Sequence, residues 1–255
     1  MSQWLILLAC LVVVCAAVVG AVFLRQRRAG EDDDPSETPD VIEYMTMMIG
    51  VVYAIVLGLA IAGVWETRNA ADETVQQEAQ ALHEIHERVQ VYPAQERERI
   101  RADVTAYVRH TVGVEWARMT ERGKLTSRGD RLLAGLRRDA QAVRPGSTRA
   151  VQAYQGVVDQ VAVVDAARVQ REAQASPTMP SVVWFGLVGG GVLTVGMVFA
   201  LQIQRSLREI MLAGLFSALV VFLIFLVWHF DAPFARGLSE PTEAYTALFP
   251  RAAPE

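Results

Sequence analysis

Hydrophobic residues along the chain are concentrated in four runs that are almost free of charged residues. Each run is about 20 residues long, which is the length that an α-helix needs to cross the ~30 Å hydrocarbon core of a bilayer. Four helices without a polar face could not be solvated by water. The pattern therefore predicts a multi-pass membrane protein that has the lipid bilayer as a partner. The predicted spans are residues 4–24, 43–65, 181–203 and 208–230.

An insertion with a helical period separates the second span from the third. Its apolar residues recur at spacings of three and four, and breaking signals at Pro93, Gly123 and Pro145 divide it into four amphipathic segments. Ser147 is the predicted N-cap of the fourth segment. Four such helices with short connections form an antiparallel bundle. The predicted fold class is therefore all-α, with two transmembrane helical hairpins flanking a soluble four-helix bundle.

The second span is predicted to continue into this bundle as one helix. Between Gly63 and Pro93 the sequence contains neither glycine nor proline, so nothing interrupts the helix. Its length would be roughly 50 residues, or ~75 Å. The parts of the chain are then a first hairpin, the bundle, a second hairpin and a C-terminal tail, at residues 1–65, 66–180, 181–230 and 231–255.

Charge and composition exclude several classes of function. The 255-residue chain has a formal net charge of −4, and basic and acidic residues are nearly balanced in the insertion, so no nucleic-acid-binding surface is predicted. The chain shows no glycine-rich phosphate loop and no nucleophile with a partner base, and HEIHE at residues 83–87 lacks the spacing of a zinc site. We therefore expect no enzyme, no catalytic or metal site and no cofactor.

Small residues recur every four positions on one face of two spans. In lipid, such faces let helices approach closely, because van der Waals packing replaces the hydrophobic effect there. The predicted helix-packing residues are Ala54, Gly58 and Ala62 in the second span, and Gly186 and Gly190 in the third.

Ionisable residues cluster at the end of the bilayer that faces the bundle. They are Glu66, Arg68, His229, Asp231 and Arg236. Groups at that depth usually pair or face a cavity. Three interpretations remain open: simple solvation of the helix ends, a latch between spans, or a charged ring at the mouth of a pore.

Arginines predict how the chain is oriented in a bacterial plasma membrane. The two short loops contain five arginines, at positions 25, 27, 28, 205 and 208. The positive-inside rule places these loops in the cytoplasm and therefore the bundle outside it. Arginines near the ends of the insertion, such as Arg68 and Arg171, favour the opposite orientation.

Two stretches resemble the bacterial bestrophin-like family. The first, GVVYAIVLGLAIAGVWETRNAADETVQQEAQAL, is similar to the family's second span and its emerging helix. The matching residues are Gly50, Val51, Tyr53, Ala54, Trp65, Glu66, Glu78, Ala79 and Leu82. The second, DAPFARGLSEP, is similar to the D-x-P-F-x-G motif after the last span; Asp231, Pro233 and Phe234 match, and Gly237 comes one residue late.

The resemblance implies kinship with bestrophins, which are pentameric anion channels with the second span around the pore and a cytosolic domain. A homo-oligomer that conducts inorganic ions is therefore expected, although that orientation is opposite to the one the arginines predict. If the chain conducts, the pore face lies opposite the small residues and comprises Met45, Ile49, Val52 and Val56, with Tyr53 at its edge. The alternative is a membrane-anchored helical scaffold or sensing module without conduction.

Overall fold

A computed structural model describes residues 40–144, 146–200, 207–237 and 243–250. The first predicted span, residues 4–24, lies outside these ranges. Every regular element within them is helical and none is a strand, as the sequence predicts. The described residues form eight α-helices, which are α1 (Asp40–Arg88), α2 (Ala94–His110), α3 (Trp116–Arg122), α4 (Ser127–Ala142), α5 (Thr148–Gln174), α6 (Ser181–Ala200), α7 (Leu207–Phe230) and α8 (Glu243–Leu248).

Helix α1 confirms that the second span continues into the insertion. It runs for 49 residues without a break, and a 3₁₀ turn, Val89–Val91, follows it before Pro93. At 1.5 Å per residue its length is about 75 Å.

The chain folds as two units, and α1 contributes to both. In the first, the described residues are 40–65, 179–200 and 207–229, which hold the first half of α1 together with α6 and α7. Both α1 and α7 are long and apolar enough to cross a membrane, with mean hydropathies of 2.5 and 2.7 in their most apolar windows, and α6 has a shorter apolar stretch, Ser181–Met197. Only 17% and 22% of those windows are buried, so these helices are not the core of a soluble domain.

The second unit is the helical bundle, whose core is formed by apolar stripes at helical spacing. The second half of α1 contributes Val75, Leu82 and Ile85, which are fully buried. They pack in one cluster with residues from the other bundle helices, among them Ile100, Val104, Leu136, Val157 and Val161. This common core fixes the second half of α1 among the bundle helices.

Local signals at the helix ends agree with the sequence in two places. Ser147 caps α5, since its hydroxyl accepts a hydrogen bond from the Ala150 N–H at 3.2 Å. Gly123 ends α3 with φ of 63°, a left-handed conformation that favours glycine. One feature differs from the expectation of a single helix before Gly123. A π-helical turn, Thr111–Glu115, separates α2 from α3 and leaves both of its end residues fully buried.

Candidate functional site

The membrane half of α1 has one face that is buried within the chain. Tyr53, Leu57 and Val64 lie on it and are at most 8% exposed. The Tyr53 hydroxyl donates a hydrogen bond to the Leu187 carbonyl of α6 at 3.0 Å. A Cβ added to Gly190 would lie 2.8 Å from the Tyr53 ring, so the glycine provides the space that this ring occupies.

The residues predicted to line a pore divide into two groups. Met45, Val52 and Val56 are exposed in the isolated chain, at 56%, 62% and 48%, and Ile49 is half-buried. Tyr53, expected at the edge of this face, is instead buried against α6. The helical wheel alone could not show this, because it does not identify the face that the neighbouring helix covers.

The predicted helix-packing residues also divide. Gly190 makes the close approach to Tyr53 described above. Ala54, Gly58 and Ala62 are exposed in the isolated chain, and a Cβ added to Gly58 or Gly186 would meet nothing within 4 Å. The small-residue face of α1 is therefore left uncovered by the described residues of its own chain.

The residues that follow α7 fold back onto the bundle. Asp231 is 2% exposed, and its Oδ1 accepts hydrogen bonds from the N–H and the hydroxyl of Thr178, at 3.2 and 3.5 Å. Its backbone carbonyl accepts a further bond from the Thr178 N–H at 3.3 Å. Asp231 therefore ties the segment after α5 to the segment after α7 within the second unit.

The other predicted interface charges have varied surroundings. The Arg68 guanidinium lies 5.1 Å from the centre of the Phe230 ring, and Glu66 is exposed. His229 stacks on Phe225 with the ring centres 6.0 Å apart. Burial lowers the pKa of Arg236, although Asp231 opposes this.

A buried ion-pair network joins α1, the π-helical turn and α5 inside the bundle. Arg171 is fully buried and donates to both oxygens of Glu78, with Nε–Oε2 and Nη2–Oε1 distances of 2.8 and 3.1 Å. It also donates to Glu115 Oε1 at 3.1 Å. Arg168 donates to both Glu115 oxygens, at 2.5 and 3.0 Å, and Tyr107 donates to Glu78 Oε1 at 2.5 Å.

Electrostatics hold Glu115 and Arg171 in their charged forms. Burial by itself would raise the pKa of Glu115, but hydrogen bonds from Arg168 and the charge of Arg171 lower it to about 2. Burial likewise disfavours the charged Arg171, yet Glu78 keeps its pKa above the usual value. Burial and the neighbouring Glu78 raise the pKa of Tyr107, so its hydroxyl remains a donor. With its charges matched in this way, the network fixes helices rather than offering a free acid or base.

Sequence reasoning missed most of this network. In the sequence, Glu78 stands out only as a motif residue, Arg168 and Arg171 stand out only as charges that bear on membrane orientation, and Glu115 does not stand out. A signal existed in α5, because Val157, Val161 and Val164 form a buried stripe that Arg168 and Arg171 continue at the same helical spacing. A charged residue on an apolar stripe predicts a buried ion pair. Among the described residues, no group of three or more potential metal ligands is present.

Comparison with known proteins decides the family. A sequence model of the Bestrophin-like domain matches residues 11–243, which is most of the chain. The chain belongs to the Bestrophin-like family. A comparison with curated protein sequences finds no match.

Solved structures share the fold of this Bestrophin-like chain. Two crystal structures of a bacterial bestrophin homologue from Klebsiella pneumoniae, each carrying a single substitution, match it with TM-scores of 0.68 and 0.66 at 13% sequence identity. The alignments cover 95% of this chain and 95% of that chain in the first case, and 98% and 99% in the second. A crystal structure described as a membrane protein matches with a TM-score of 0.65 and 12% identity, covering 97% and 99%.

The Bestrophin-like motif residues have identifiable structural contacts. Glu78 belongs to the buried ion-pair network, and Ala79 beside it is fully buried in the core. Asp231 binds Thr178, as described above. Pro233 opens a π-helical turn, Pro233–Gly237, in which Phe234 packs edge-on against Trp116 with ring centres 5.6 Å apart. Trp65 is 49% exposed.

Proposed function

We propose that this protein is a homo-oligomeric ion channel of the bacterial plasma membrane, a pentamer that conducts anions, with α1 around the pore. The observation that carries the proposal is α1 itself. It is one 49-residue helix whose first half is apolar and largely exposed and whose second half is packed in the bundle core. The resemblance to bestrophins supports the pentamer and the anions.

The exposed surface of α1 supports an assignment of its faces in the oligomer. One face is already covered by α6 through Tyr53. The small residues Ala54, Gly58 and Ala62 suit close contact with a neighbouring copy, because small side chains let helices approach in lipid. Met45, Val52 and Val56 then face the axis, with Ile49 at the margin. Such a constriction is apolar and would gate by dewetting, while charges at its ends set ion preference.

Ion flux into liposomes that contain the purified protein tests this proposal. Val56→Ala and Ile49→Ala should raise flux because they widen the constriction, and Val56→Asp should raise it by wetting the pore and should shift preference towards cations. Val192→Ala is the matched control, since Val192 is an exposed valine on α6 and is expected to leave flux unchanged.

The competing function is a membrane-anchored scaffold or sensing module. It predicts that neither the native protein nor any of the three α1 variants passes ions, although all of them insert and assemble. Oligomeric state in mild detergent gives an independent check, because a monomer would leave α1 with no axis to surround.

Labelling of single cysteines tests the orientation that the arginines predict. With the bundle outside the cytoplasm, a cysteine at Gln95 should react with an impermeant maleimide on intact cells, and one at Ser36 should not. Cys10→Ser and Cys15→Ser remove the native thiols first. Labelling at Ser36 alone would establish the bestrophin orientation and contradict the charge argument.

A further inference from the structure

Two aspartates from different bundle helices are close enough for a hydrogen bond between their side chains, and they have no role in the proposed conduction path. Asp103 lies on α2 and Asp139 on α4. The side chain of Asp139 is only 11% exposed, and it forms an ion pair with Arg99, with an Nε–Oδ2 distance of 2.6 Å. Asp103 Oδ2 is buried, and no N–H or O–H of the residues that the structure describes donates to it.

This geometry is unfavourable for two ionised carboxylates. Acceptor oxygens that face each other repel when both are charged, whereas a single proton between them makes a strong hydrogen bond to the remaining carboxylate. Arg99 stabilises charge on Asp139, so Asp103 is the member that takes up the proton.

We propose that Asp103 and Asp139 share one proton across the contact between α2 and α4, and that this acid pair makes the bundle sensitive to pH. The protonated Asp103 donates to Asp139 and holds the two helices together. Loss of the proton leaves two charges of the same sign at the contact, which Arg99 and Arg138 offset in part.

The electrostatic surroundings agree with this arrangement. Burial is the largest cause that raises the pKa of Asp103, the bond to Asp139 adds to it, and Arg99 and Arg138 oppose it; the resulting pKa is about 6, against an ordinary 3.8. Because the folded pKa is the higher one, the folded state binds the proton more tightly than the unfolded state. The stabilisation is therefore complete below the ordinary pKa and is lost as pH rises through about 6.

The full-length protein in detergent provides the test, with Asp103→Asn as the main variant. Asparagine donates to Asp139 at every pH, so it imitates the protonated state. Between pH 7.5 and pH 5 the folding equilibrium constant of the native chain should rise about tenfold relative to that of Asp103→Asn. The ratio of the two folding equilibrium constants reports on this acid pair alone. His86 and His110, whose pKa values burial lowers, titrate in both proteins, so their contributions cancel. Asp159→Asn, at an exposed position on α5, is the control. Its folding equilibrium constant, relative to that of the native chain, should not change between the two pH values.

A second measurement needs no stable variant. Infrared difference spectra of the native protein should show a protonated carboxyl band that appears on acidification with a midpoint near the pKa of about 6. The proposal of an acid pair would be overturned by either of two results. One is a ratio of native to Asp103→Asn folding equilibrium constants that does not change with pH, and the other is a carboxyl band with its midpoint below pH 5. Either result leaves the channel proposal intact, because flux through α1 does not depend on this pair.

Discussion

Replacing Arg171 with methionine will lower the free energy of unfolding by about 3–5 kcal/mol, the largest loss we expect from a single charge deletion in the bundle. The reason is the fully buried Glu78, which keeps the Tyr107 hydroxyl but loses its positively charged partner when Arg171 is removed. An unpaired carboxylate in the core costs its desolvation energy without a compensating attraction. Thermal and chemical denaturation of the purified protein measure the loss.

Arg137→Met is the matched control. Arg137 pairs with Asp165 at 2.6 Å, but the two side chains are 42% and 47% exposed. Water already solvates that pair, so its deletion should change the free energy of unfolding by at most about 1 kcal/mol. Equal losses in the two variants would show that burial of Arg171 is not the cause.

A double variant separates the lost charge balance from lost packing. Glu78→Leu combined with Arg171→Met removes both charges and keeps apolar volume in the core. Replacing a buried ion pair with hydrophobic residues is often neutral or stabilising. The double variant should therefore be more stable than Arg171→Met alone. If it is less stable than the single variant, the account of Glu78 as an uncompensated charge is wrong.

The sequence was sufficient for features that depend on local signals. Continuous helix through α1 follows from the absence of breakers between Gly63 and Pro93, and the start of α5 follows from the Ser147 hydroxyl. These signals act within a few residues, so tertiary structure has little chance to override them. The same holds for the apolar parts of α1 and α7, which are long and apolar enough to cross a bilayer.

Features that depend on partners far along the chain were not predictable in the same way. A helical wheel shows Tyr53 only as an amphipathic residue of α1. Its burial is explained by the carbonyl of Leu187 and the space at Gly190, which belong to α6. The π-helical turn contains Gly113, but a single glycine within a helical pattern does not by itself predict a π-turn. Its Glu115 is buried because Arg168 and Arg171, more than 50 residues later, supply the opposite charges. Such pairings need the fold before they can be recognised.

Gly129→Ala will destabilise the bundle, whereas Gly135→Ala on the same helix will not, and this contrast tests how tightly the network is packed. A Cβ at Gly129 would overlap Glu115 Oε2 and would lie 2.6 and 2.8 Å from the two terminal nitrogens of Arg168. Those atoms are the ends of side chains, but each is held by the other and by Thr126, so neither can move without breaking ion pairs.

We expect Gly129→Ala to lower the free energy of unfolding by about 1–3 kcal/mol, the usual cost of overpacking. At Gly135 an added Cβ meets nothing within 4 Å, so alanine should raise stability by about 0.5–1 kcal/mol through its higher helix propensity. Denaturation of both variants beside the native protein measures the difference. Equal effects, or a stabilised Gly129→Ala, would mean that Glu115 and Arg168 can separate at little cost and that the network does not hold the π-helical turn against α5.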